Sequence, residues 1–147
     1  MARLEPSDVA GWLLKSTRAP ADIEPGWAPG EERELARCVR RSYRLELVSP
    51  GQPVLLWVSG RVRPGVHAVG SVSGPVGADD GDGPVLPVRL TSLPDPVDRG
   101  ELLAAPRFRS AEVLRMPAGS NPSWLSAAQL EAVLARAALS RLGRWDP

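Results

Sequence analysis

Lys15 is the only lysine in the chain; every other basic side chain is an arginine. A compact ammonium can hold an anion as a point charge where a planar guanidinium is too broad. A GC-rich coding sequence would produce the same imbalance, so composition alone does not explain the position. Groups able to run a reaction are few. His67 is the only histidine, and its setting in "GVHAVG", a strand pattern, favours a structural role. Cys38 sits between Arg37 and Arg40/Arg41, a field that favours the thiolate, yet no His or Asn partner is recognisable for it. The acidic run "DDGDG" at 79–83 invites a calcium reading, but an EF-hand loop needs glutamate at its twelfth position, and counting from Asp80 ends on Thr91. A solvated turn is the better reading. No GxxxxGK[ST] or GxGxxG follows a strand pattern. The expectation is a protein that is not an enzyme and holds neither metal nor cofactor.

What remains suits a planar ligand. Five tryptophans accompany one tyrosine and one phenylalanine. Trp12, Trp57 and Trp124 adjoin apolar runs and are expected in the core. Trp27 lies in a Pro/Gly loop and is expected to be free to stack on an extruded base. Arg33, Arg37, Arg40, Arg41 and Arg44 face only Glu34 between positions 33 and 44. They form either a basic patch for phosphates or an ordinary solvated face. The net charge of +1 excludes a general polyanion binder, which would be far more basic.

The elements that must position these residues are short, because 16 prolines and 14 glycines punctuate the chain. A length of 147 residues suits a single domain, 1–147. No run approaches the roughly 18 apolar residues of a membrane helix, and the N-terminal stretch lacks a signal pattern. With a lone cysteine, a cytoplasmic monomer is expected. "GWLLKS" reads as a first strand, with Trp12, Leu14 and Ser16 on one side and Leu13 and Lys15 on the other. A strand is expected near "ARCVRR" and a turn of helix near "SYRLELV". "PGQPVLLWVSG", "RVRPG" and "VHAVGSVSG" read as a strand hairpin, and residues 84–93 as a further strand. A short helix is expected after Asp98. Ser126 and Gln129 make a capping box for a last helix carrying Leu130, Val133, Leu134 and Ala137 on one face, with Gly143 beyond its end.

Taken in order, "WLLKS", "CVRRSYR", "GQPVLLWVSG" with "RPGVHAVGSV", and "MPAGSNPSWLSAAQLEAVL" resemble the EVE domain, a branch of the PUA-like superfamily, over roughly residues 10–138. The resemblance implies an α+β fold: a small, β-barrel-like mixed sheet with flanking helices. It also implies binding of nucleic acid, often through a pocket for a modified base. Lys15 and Ser16, followed by Thr17, match the Lys-Ser pair beside that pocket. Ser42, Tyr43 and Arg44 match a pocket-side stretch, and Trp57, Ser59, Gly60, Pro64 and Gly65 a wall and rim. Relatives commonly carry a tryptophan just ahead of "CVRRSYR"; "LARCVRR" has none, so Trp27 is expected to replace it. Arg37, Arg40, Arg41 and Arg44 are expected on phosphates. The implied function is a non-enzymatic module recognising a modified or flipped-out base in DNA or RNA. The alternative is a PUA-like small-ligand or protein-interaction domain that binds no nucleic acid.

Overall fold

Successive strand residues face opposite sides of a sheet, and the segment Gly11–Ser16, β1, uses that alternation to feed two separate cores. Leu13 joins Leu55, Trp57, Val66 and Phe108 on one side. Trp12 and Leu14 join Val54, Leu56, Val58 and Leu86 on the other. β3 (Pro53–Val58) is buried from Val54 to Val58, as expected of a strand covered on both faces. The computed structural model describes residues 3–77, 81, 83–119 and 121–137. The remaining strands are β2 (Glu32–Cys38), β4 (Gly65–Val72), β5 (Val85–Asp98) and β6 (Ser123–Leu125). Short helices α1 (Pro20–Ile23), α2 (Arg99–Ala104) and α3 (Glu112–Arg115) precede the longer α4 (Ala127–Arg136).

The sheet order is β2-β5-β4-β3-β1-β6. β1 lies parallel to β3, which puts Lys15 beside Trp57 and Ser16 beside Val58. The other pairings are antiparallel. The fold is therefore α+β with an open mixed sheet. Barrel-like closure is absent from the strand ladder among the described residues, since no pairing joins β2 to β6. The two edges do meet at one end, where the Arg40 N–H donates to the Asn121 carbonyl at 2.8 Å. Among the described residues no helix is long and apolar enough to cross a membrane.

The expected hairpin is β3–β4. His67 is the extra residue of a bulge: Ala68 pairs with Leu56 and Val66 with Trp57, skipping it. The bulge moves Val66 to the same core as Val69, while Ala68 faces the other. Gly65, expected on a pocket rim, is buried in β4, at φ +146, where a Cβ would run into the carbonyl oxygen of Val97. It serves strand packing, not a rim. The C-terminal helix carries its capping box, with Ser126 and Gln129 each bonding the other's backbone. Gly143 and most of "DDGDG" lie outside the described residues.

Trp27 also differs from expectation. Its loop folds inward, leaving the side chain 2% exposed among the residues of the second core, including Trp12 and Leu90. The indole N–H donates to the Glu31 carbonyl at 2.8 Å, as a buried tryptophan requires. Trp27 borders the cavity that Gly60 and Val62 also line, not the one lined by Lys15. The Trp27→Ala variant should lose about 3–5 kcal/mol of stability, read from urea unfolding; an unchanged midpoint would show that the loop does not depend on its buried ring.

Candidate functional site

At the C-terminal ends of the parallel strands β1 and β3, a cavity of about 460 Å³ opens between Lys15, Ser16 and Thr17, Trp57 of β3 and Ser59 just beyond it, and Arg37 of β2. Arg18 and the turn Pro117–Gly119 complete its lining. Its size falls in the range of about 300–1,000 Å³ typical of small-ligand sites. Backbone hydrogen bonds hold the two strand ends together: the Ser59 N–H donates to the Ser16 carbonyl at 2.9 Å. The Ser16 hydroxyl bonds Arg18 in both directions, donating to its carbonyl (2.9 Å) and accepting from its N–H (3.0 Å), which turns the chain and sets Arg18 at the wall. Trp57 is 4% exposed and stacks on Phe108, centroids 6.3 Å apart, so the wall it offers is rigid.

Among the described residues, three cations line this cavity and no carboxylate does. The Lys15 ammonium donates to the Met116 carbonyl at 3.4 Å, and its backbone N–H to Asn121 Oδ1 at 3.1 Å. Burial lowers its pKa; Glu112 opposes the shift, and Arg40 and Arg44 add to it. Arg37 shares the inner, half-buried side of β2 with Arg33 and Leu35. Burial pushes its pKa down first and the Arg18 charge next. Such an arrangement is short of negative charge and offers donors to an anion or to the acceptor atoms of a planar base.

The arginine run does not form one face. Arg33 pairs with Glu24 at 3.0 Å and Glu31 at 3.4 Å. Arg40 is exposed and acts on the site through its charge on Lys15, and Arg41 is exposed outside the lining. Arg44, expected on a phosphate, is instead committed inside the protein. Its guanidinium grips Glu112 with two hydrogen bonds of 2.7 and 2.6 Å and reaches the Pro122 carbonyl at 3.3 Å. Both side chains are nearly buried, 12% and 6% exposed. Burial pushes the Glu112 carboxyl up, but Arg44 outweighs it, with help from Ser123 and Lys15, and holds it below its usual value.

Other expected positions serve structure. The Ser42 hydroxyl accepts from the Arg44 N–H at 3.2 Å, capping the 3-10 helix Tyr43–Leu47. The Tyr43 hydroxyl accepts from the Leu4 N–H at 2.8 Å, and the Arg3 guanidinium lies 3.9 Å over its ring. Pro64 accepts from the Arg99 N–H and, with Gly65, stands apart from the cavity lining. Gly60 borders a second cavity of about 540 Å³, which shares Thr17 and Ser59 with the first and also takes in Arg61, Val62 and Arg63. Arg18 and Pro117–Gly119 were not expected at the site. The stretch "MPAGS" was the available signal for the turn; Glu112 had none.

No protein family and no curated protein matches the chain by sequence. Solved structures share its fold. A hypothetical protein from Leishmania major superposes with a TM-score of 0.70 at 17% identity, covering 90% of this chain and 96% of its own. The DUF55 domain of human thymocyte nuclear protein 1 gives 0.60 at 15% identity, covering 86% and 97%. Human THYN1 in complex with DNA containing 5-methylcytosine gives 0.54 at 13% identity, covering 92% and 99%.

Removing the Glu112 charge leaves Arg44 buried and unpaired, so Glu112→Gln should cost about 3–5 kcal/mol. Because the folded pKa of Glu112 is depressed, its contribution is present above the unfolded value of about 4.3 and is lost as pH falls through the folded one. Denaturant melts across pH 2–7 should show the two proteins converging at the acid end; a constant gap would remove the ion pair as the cause.

Proposed function

We propose that the chain is a non-enzymatic module that binds DNA by taking a single base, modified in its preferred substrate, into the Lys15 cavity. The observation that carries this reading is the lining itself: three cations and a rigid indole around a space large enough for a base, which no carboxylate among the described residues borders. Lys15, Arg18 and Arg37 have no ion pair among the described residues. A ligand can therefore recruit them without breaking an ion pair, displacing at most the long 3.4 Å bond from Lys15 to the Met116 carbonyl. The reading agrees with the resemblance to EVE domains of the PUA-like superfamily. It also agrees with the fold shared with THYN1, whose structure holds 5-methylcytosine DNA, and this favours DNA over RNA. The protein would act inside the cell, as a monomer.

In this reading Lys15 meets a base oxygen or the adjoining phosphate at the cavity mouth, its stem packed along β1. Arg18 and Arg37 take flanking phosphates, fixing position without choosing the base. Ser59, exposed at the edge of the cavity, supplies a hydroxyl for the base edge by giving up a long 3.4 Å bond to the Ser16 carbonyl, whereas the Ser16 hydroxyl is held by two shorter bonds within its own turn.

Fluorescence anisotropy with oligonucleotides carrying cytosine or 5-methylcytosine, over a series of salt concentrations, tests the reading. Affinity should fall with salt, and replacing both Arg18 and Arg37 by Gln should flatten the slope by about one unit per lost phosphate contact while leaving the preference between bases intact. Salt-independent binding of a free small molecule alone would establish the small-ligand alternative instead. A separate expectation concerns Lys15→Arg. It should weaken binding about tenfold despite keeping the charge, because the planar guanidinium does not fit where the ammonium sits against the Met116 carbonyl. Equal affinity would make the lone lysine an accident of composition.

A further inference from the structure

The loop joining β3 to β4 presents Val62 at 81% exposure, more than Met116 at 56% or Leu103 at 42%. A single exposed valine is ordinary on a protein surface, but this one has an unusual mounting. Its neighbours Arg61 and Arg63 are exposed cations. Arg63 is the non-glycine residue with positive φ among the described residues, at 46°, in the left-handed region that side chains avoid. His67, the extra residue of the β4 bulge, donates from Nε2 to the Arg63 carbonyl at 2.6 Å. It holds the strained turn from below. Burial lowers the pKa of this imidazole, outweighing the effect of that hydrogen bond. The sequence's lone histidine thus braces a loop whose tip is apolar and whose two flanks are positive.

Location gives the loop its meaning. Val62 borders the second cavity, which shares Thr17 and Ser59 with the Lys15 cavity. Thr17 and Ser59 thus join the cavity beneath this tip to the one that would take a base. An apolar side chain entering between base steps, with arginines on the adjoining phosphates, is how proteins stabilise an opened duplex. Among the described residues, exposed Asp95 is the acid paired with these arginines, at 3.4 Å from Arg63, and a contact so exposed is weak enough to yield to phosphate.

We propose that Val62 is a wedge that fills the place in the double helix vacated by the base, with Arg61 and Arg63 gripping the backbone on either side and His67 as the positioning residue that holds the tip. The proposal rests on the base-binding reading of the Lys15 cavity. It assigns the loop a task that exists only in duplex DNA, since a single strand has no gap to fill.

The test compares wild type with Val62→Ser, a surface change that leaves both cores intact, on one 5-methylcytosine oligonucleotide used single-stranded and as a duplex. The variant should bind the single strand as wild type does and the duplex about tenfold more weakly. His67→Ala, checked for folding by its melting curve, should reproduce the duplex-specific loss. Unchanged duplex affinity for Val62→Ser, or an equal loss on both forms, overturns the wedge while the base pocket stands. Wild-type protein that binds neither form overturns the base-binding reading and the wedge together.

Discussion

Arg44 and Glu112 lie 68 positions apart, and their two-pronged contact fixes how the open sheet is folded over at one end. Arg44 belongs to the segment that follows edge strand β2, while Glu112 begins α3, just ahead of the opposite edge strand β6. The same guanidinium bonds the Pro122 carbonyl, and Arg40 bonds the Asn121 carbonyl. These contacts bring β2 alongside the end of β1, which is why Arg37 and Lys15 can line one space although their strands stand first and fifth in the sheet. A buried ion pair is a weak source of net stability, since removing two charges from water is costly. Its value here is geometric: the planar fork accepts one orientation of the carboxylate, and that orientation fixes the floor beneath Lys15.

The electrostatics follow from how the charges are distributed. Several arginines outside the cavity have acidic partners, as with Arg33 and Glu24, Arg89 and Glu34, Arg107 and Glu131, or Arg136 and Glu101. A nearly neutral chain can therefore keep a local surplus of positive charge in one place. That surplus is concentrated by burial, because neighbouring low-dielectric protein strengthens the field of Lys15 and Arg37 at the mouth of the cavity. A bland overall charge and a strongly basic site are compatible.

The strand pattern was legible where alternation and turn residues agreed, as in β1, the β3–β4 hairpin and the capping box of α4. β5 runs on to Asp98 through Pro94 and Pro96, beyond the expected end at 93, because the sheet bends there and leaves those prolines free of ladder duties. β6 is three residues long, too short to show a period. Lys15, Ser16, Thr17, Trp57, Ser59 and Arg37 were expected at the site and do share one cavity. Trp27 and Arg44 were misjudged for one reason: each is defined by a distant partner. A loop tryptophan and an arginine in a basic run look available in sequence, and only the tertiary fold shows that the first caps a core and the second is already taken.

Lys15 carries a consequence of its own. In the empty protein its burial favours the uncharged amine relative to a lysine in water, while any anion seated against it would restore the preference for the ammonium. Association and proton uptake are then linked events. In the alkaline range between those two preferences, complex formation draws protons from the buffer, so the heat of binding measured by calorimetry would vary with the ionisation enthalpy of that buffer. The site would record, in the protons it takes up, that its cavity had been filled by negative charge.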